Sequence, residues 1–259
     1  QFTYHGFRYV EVIGLTRPPD SVTLTGCVMA SSVSPSGNLK TSEPLLNKLW
    51  SNIVWTQIDN MPSVPTDCPQ RDERAGWMGD AQVFSQSAIY NMDMAAFFSK
   101  WIRDIYDCQL SDGRFPDYSP QVGDWMAFYN SPAWAGAAVI LPWRLYENYN
   151  DTGILASCYD GIKKYIHFLV TQNPGLLWTK ATGNGYGDWL NGNTIIEKGY
   201  PKDKGKVPDD VYATAFLRYS TGILAKMGKV LGKEKEAAHY DSLAGAIKAA
   251  FIKNFVDET

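Results

Sequence analysis

The chain has 259 residues, 45% of them apolar and 20% charged, a balance that allows a sizeable buried core. Its 24 Lys and Arg against 27 Asp and Glu leave a formal charge of −3, and no basic run or stripe interrupts the sequence. This excludes the electrostatic footprint of a nucleic-acid binder, and no apolar run reaches the roughly 20 residues that span a bilayer.

The first forty residues have strand character. Phe7-Arg-Tyr-Val-Glu-Val-Ile13, Val22-Thr-Leu-Thr25 and Cys27-Val-Met29 are β-branched or alternating runs bounded by turn residues such as Pro18-Pro19-Asp20. Three short strands cannot close a sandwich or barrel, so they are expected to be the last strands of a β-sandwich domain that continues upstream of Gln1. Residues 1–37 therefore read as these strands and a linker, the Ser-rich stretch from Ser31 to Asn38.

From residue 38 onward the period becomes helical. Ser42-Glu-Pro44 reads as a capped start, followed by Leu45, Leu46, Leu49, Ile53, Val54 and Ile58 at spacings of three and four. A second helix is expected from Asp80 to Asp107, and others at 132–149, 152–172, 208–231 and 234–254, six in all. The stretches 61–79, 109–131 and 173–207 are loops long enough to be functional, and Asp, Trp, Tyr and Gly concentrate in them. Paired helices with elaborate loops on one side predict a mainly α fold, part of an (α/α)6 barrel whose loops build a cleft. Six helices make half of such a ring, so the expectation is a chain truncated at both ends.

The densest chemistry is Asp67-Cys-Pro-Gln-Arg-Asp-Glu-Arg-Ala-Gly-Trp-Met-Gly-Asp80, with four carboxylates and two guanidiniums in fourteen residues beside an indole. Cleavage of a glycosidic bond needs a carboxylic acid to protonate the leaving oxygen, acidic groups to steady an oxocarbenium-like transition state, and a flat apolar surface for the sugar ring. In this motif Glu73 has negative neighbours in Asp67, Asp72 and Asp80, which would help keep it protonated. Arg71 and Arg74 oppose that effect if they point at Glu73 and serve binding if they point at sugar hydroxyls. Asp67 could instead cap a turn, Asp80 could be a helix N-cap, and the arginines could be surface ion-pair partners.

A hard cation could take the acidic cluster, but the alternating rhythm of a calcium loop is missing, so no metal and no cofactor is expected. Cys27, Cys68, Cys108 and Cys158 show no C-x-x-C pair and read as free thiols. Trp50, Trp55, Trp101 and Trp143 fall at helical spacing and are expected in the core. Trp77, Trp125, Trp134 and Trp189 lie in or beside loops and are the expected sugar platforms. His5, His167 and His239 stand alone and carry no chemistry, and Lys198 to Lys206 reads as a solvated loop.

The string from Asp67 to Gln82 resembles the signature of the bacterial α-L-rhamnosidases, glycoside hydrolase family 78. Phe2 to Val12 resembles the end of the β-sandwich that precedes their (α/α)6 barrel, and Ser131 to Trp143 and Gly185 to Leu190 recur in the family's order. The resemblance covers essentially the whole chain and implies an inverting hydrolase that removes terminal α-linked L-rhamnose from glycosides or polysaccharides. It implies Glu73 as general acid, Asp67, Arg71, Trp77 and Asp80 at rhamnose-binding positions, and Trp134, Asp188 and Trp189 as further contacts. The family's general base is a Glu far downstream of the signature and is absent from these residues, with Asp188 the one internal candidate. Ala135-Gly136-Ala137 departs from the pattern, since many relatives carry an acidic residue shortly after the equivalent of Trp134. The alternatives are another inverting hydrolase on the same barrel and a catalytically inactive, saccharide-binding relative.

Overall fold

The structure is a computed structural model that describes residues 3–123, 128–180, 182–190 and 207–256. Seven helices are present among the described residues, α1 (Pro44–Asn60), α2 (Met78–Asn91), α3 (Ala95–Asp107), α4 (Ala137–Tyr149), α5 (Thr152–Gln172), α6 (Asp209–Val230) and α7 (Glu234–Phe255), with no strands.

The extra helix arises because the stretch expected as one helix from Asp80 to Asp107 is broken. Met92 adopts extended backbone, and the Asp93 carboxylate accepts from the Ala95 N–H at 3.2 Å, restarting the helix as a local cap does. The Ser31–Asn38 segment docks on this break: Ser36 N–H donates to Asn91 O at 2.9 Å and Asp93 N–H to Ser34 O at 2.8 Å. At the start of α1 the cap is Glu43, whose carboxylate accepts from the Leu45 N–H, rather than Ser42.

The centre is α4, which packs against α2, α3, α5 and α6. Every residue from Ala137 to Trp143 is buried, as expected of a helix that is apolar all round. Its alanines let neighbours approach closely while Ile140 and Leu141 fill the space between. Asp151 caps α5 through the Ile154 N–H at 3.1 Å, and Gly232, in the left-handed region at φ 69°, makes the tight turn between α6 and α7.

Trp101 and Trp143 are in the core as expected, and Trp50 is half-buried with its indole N–H on Asn91. Trp55 is not: it is half-exposed on the outer face of α1 beside Leu45, Leu46 and Leu49, which are also exposed. The runs 7–13, 22–25 and 27–29 form no ladder among the described residues, and Tyr9, Ile13 and Val22 are strongly exposed. A strand exists only through its neighbours, and no neighbouring strand is present among the described residues to pair with them. The four cysteines are free thiols, and no described helix is long and apolar enough to cross a membrane.

Candidate active site

Three loop regions meet at one end of the helices, and a single buried residue joins them. Asp117, fully buried, passes its backbone carbonyl to the Met78 N–H at 2.9 Å, tying its loop to the first residue of α2. Its carboxylate accepts from the Ser131 N–H at 2.8 Å, the Ser131 hydroxyl at 2.5 Å and the Tyr186 hydroxyl at 3.4 Å. Burial pushes this carboxyl up to about 6, against the hydrogen bonds, which favour its charged form. The same end is stitched by Ser119 N–H to Gly76 O at 2.9 Å and by bridges between Trp77 and Tyr118 and between Pro116 and Tyr129.

Beside this junction opens a cleft of about 560 Å³. Its wall includes Asp67, Asp80, Gln82, Trp134, Asp188, Trp189 and, from α6, Tyr212. Trp134 lies flat on Gly79, where an added Cβ would fall 2.5 Å from the indole, so a side chain at this position would displace the ring. Gly76 is equally constrained, with Ser119 O 2.1 Å from where its Cβ would stand. The two glycines around Trp77-Met78 are thus what lets α2 start beneath an indole and beside a neighbouring backbone.

Asp67 closes its own loop. Its N–H donates to Ala75 O at 3.1 Å and its Oδ1 accepts from the Ala75 N–H at 2.9 Å. The turn-capping role is therefore real, and the other oxygen accepts from Arg71 Nη2 at 3.3 Å. The same guanidinium grips Glu73, with Nε at 3.1 Å and Nη2 at 2.7 Å from Oε2. Glu73 is thereby held with 32% of its side chain exposed. Arg71 and Glu73 are not part of the cleft wall itself.

Arg74 points away from this group. It binds the Tyr4 carbonyl and the Thr3 hydroxyl and lies over the Tyr4 ring at 4.9 Å, so its role is to hold the N-terminal segment rather than to oppose or assist Glu73.

Asp80 lies in the first turn of α2 and is not its cap, since the helix begins at Met78 with Trp77 before it and no side-chain capping bond. The helix N-terminus favours a carboxylate there. Crowding by the cleft wall nevertheless raises its pKa, helped by the negative charges of Asp67 and Glu73. Ligand atoms of Asp67, Cys68 and Glu73 lie within 4.8 Å of one another, a spacing that could hold a cation. Arg71 already supplies positive charge to both carboxylates, so the cluster is satisfied as an ion-pair network.

The indoles form a connected set with Tyr186 at its hub. The Tyr186 ring stands 4.5 Å from Trp134, 5.9 Å from Trp189 and 6.1 Å from Trp77, and Trp77 packs in turn on Tyr118 and Phe128. Trp134 is buried, Trp189 is half-exposed, and Trp77 sits behind the cleft with its indole N–H buried and unbonded. Trp125, Glu197 and Lys198 to Lys206 lie outside the described residues.

The sequence reading missed Asp117, Tyr186 and Tyr212. Asp117 lies in a loop already singled out for its Asp, Tyr and Gly content, between Phe115-Pro116 and Tyr118, but nothing local distinguishes it from a turn aspartate. Its importance arises from contacts 14 and 69 residues away.

Residues 34–259 match the family described as the bacterial α-L-rhamnosidase six-hairpin glycosidase domain. An α-L-rhamnosidase of Streptomyces avermitilis is 42% identical over 99% of this chain and 23% of its own length. One of Formosa agariphila is 36% identical over 98% of the chain and 27% of its length.

Among solved structures, the Streptomyces avermitilis α-L-rhamnosidase complexed with L-rhamnose superposes with a TM-score of 0.88 at 40% identity, over 98% of this chain and 23% of that one. The α-L-rhamnosidase of Dictyoglumus thermophilum does so with a TM-score of 0.87 at 38% identity, over 98% and 27%. The chain thus spans about a quarter of the length of these relatives. With a helical architecture and a family match that runs from the linker to the last residue, the chain belongs to the bacterial α-L-rhamnosidase six-hairpin glycosidase family.

Proposed function

We propose that the protein to which this chain belongs removes terminal α-linked L-rhamnosyl residues from glycosides or polysaccharides, with inversion at the anomeric carbon. The observation that carries this reading is the gathering of Asp67, Asp80, Asp188, Trp134 and Trp189 around one cleft, with Glu73 tied to Asp67 through the Arg71 guanidinium. Carboxylates accept hydrogen bonds from sugar hydroxyls, and indole faces pack against the apolar face of a pyranose ring. A relative 40% identical in the aligned region has been solved complexed with L-rhamnose.

In this mechanism Glu73 is the general acid that protonates the departing oxygen. Its present partner, the Arg71 fork, must yield Oε2 when a glycoside docks and turn to Asp67 or to the sugar. Asp67 and Asp80 hold hydroxyls, and their negative charge stabilises the positive charge that develops on the ring. Trp77 acts from behind the cleft, while Trp134 and Trp189 bear on the sugar from its wall. Inversion needs a second carboxylate about 6.5–9.5 Å from the acid, leaving room for a water beneath the anomeric carbon. That base is supplied from outside this chain's residues, with Asp188 the sole internal candidate, and the 259 residues alone are expected to hydrolyse little or nothing.

The test is a panel of aryl glycosides given to the whole protein, with the anomer first released followed by NMR. Release from the α-L-rhamnoside alone, as the β anomer, is the expected result. Release only from α-glucosides overturns the substrate, release of the α anomer overturns the inverting mechanism, and saccharide binding without turnover makes the protein a recognition module.

A further inference from the structure

Asp117 and Tyr186 are absent from the cleft wall, yet the Tyr186 ring packs on two of its indoles, Trp134 and Trp189, and Asp117 is bonded to the start of the helix that carries Asp80. Tyr186 is wedged among the three indoles, closest to Trp134, and its hydroxyl anchors that ring: it donates to Asp117 Oδ2 at 3.4 Å and accepts from Asn184 Nδ2 at 3.3 Å. Asp117 is anchored three times more, through Ser131 and through backbone bonds with Met78 and Phe128, and is fully buried. It therefore has a fixed position relative to α2, which carries Asp80, and transmits that position to Tyr186.

We propose that Asp117 and Tyr186 form a positioning pair. The buried carboxylate fixes the tyrosine hydroxyl, and the tyrosine ring sets the orientation of Trp134 and Trp189 against the bound sugar. The inference rests on the rhamnoside reading for its substrate but makes its own claim about how the indoles are held.

Two alternatives make weaker use of the geometry. A purely structural carboxylate would need no ring hub between indoles, and a carboxylate meant for substrate would not be sealed from the cleft. Holding Asp117 buried costs free energy, as its raised pKa shows, and the three donors converging on it offset that cost.

The test compares Tyr186→Phe, Asp117→Ala and the double variant in the whole protein, using α-L-rhamnoside kinetics and near-UV circular dichroism without substrate. Tyr186→Phe keeps the ring and deletes only the anchor, so it is expected to raise KM about threefold to tenfold with kcat changed less than about twofold, as loss of a hydrogen bond that serves binding predicts. The near-UV band of the coupled rings should weaken. If the two residues act through one bond, the double variant should bind no worse than Asp117→Ala alone.

An unchanged KM and an unchanged near-UV spectrum in Tyr186→Phe would overturn the proposal, as would effects of the two substitutions that multiply. Should Asp117→Ala fail to fold, Tyr186→Phe decides the matter by itself. Should the whole protein cleave no rhamnoside, the functional reading fails, and the near-UV comparison still decides whether the hydroxyl orders the indoles.

Discussion

The loop end of the molecule and the outer face of α1 use the same kinds of residue with opposite results. At the loop end Trp134, Tyr118 and Phe115 are buried, and the described parts of the three long loops are joined through Asp117, by its carbonyl to Met78 and its carboxylate to Tyr186. On α1, Leu45, Leu46, Leu49 and Trp55 follow an equally regular helical pattern and stand in water, as do Tyr9, Ile13 and Val22 before it. Hydrophobicity alone therefore does not place a residue inside. A partner surface does, and at the loop end that surface is built by contacts between segments far apart in sequence.

That contrast can be broken in four ways, taken here by size of effect. The largest concerns Asp117. Its folded-state carboxyl titrates near 6, above the usual carboxylate value, so the folded state holds a proton that the unfolded chain has already lost. The associated stability is fully present below about pH 4 and is lost as the pH rises to about 6, on the order of 3 kcal/mol for this one group. Thermal unfolding of the whole protein across that window should show the slope, and Asp117→Asn should remove it. A slope that persists in Asp117→Asn would assign it to other groups.

Next is Gly76→Ala. With Ser119 O 2.1 Å from the new methyl, the bond between Ser119 and Gly76 must open, at a cost of about 2–3 kcal/mol in thermal or denaturant unfolding. Gly79→Ala meets the Trp134 ring instead, which can tilt, so about 1–2 kcal/mol is expected together with a weakened affinity for L-rhamnose by calorimetry. Unaltered affinity would show that the Trp134 indole does not bear on the sugar. Smallest is Leu49→Ser, expected to change unfolding of the isolated chain by no more than about 0.5 kcal/mol because its side chain is already in water. A cost of about 2 kcal/mol in the whole protein is expected if further hairpins cover α1, and a negligible cost there would leave the face solvent-exposed.

Much of this was legible in the residues. The mainly helical fold, the positions of α4 and α5 and the loops that carry the site follow from periodicity and from capping residues such as Asp151, because those signals are local. The break at Met92 was also written locally, in Asp93, but the apolar period runs through it and hides it. The strand-like runs of the first thirty residues form no ladder among the described residues, since β character is realised only by pairing, and their place in a sandwich domain is a proposal. Asp67, Asp80, Trp134, Asp188 and Trp189 could be gathered by motif and resemblance alone. Asp117 and Tyr186 could not, because a turn aspartate and a buried anchor look alike until the fold brings their partners to them.

The proposed mechanism depends most on Glu73 as the general acid. The direct measurement is kcat/KM for Glu73→Gln in the whole protein on an alkyl α-L-rhamnoside, whose poor leaving group needs protonation. A fall of at least about 100-fold, with L-rhamnose still bound at near-normal affinity, is the predicted result. Activity within about twofold of the unsubstituted protein would contradict the assignment and move the general acid elsewhere in the cleft.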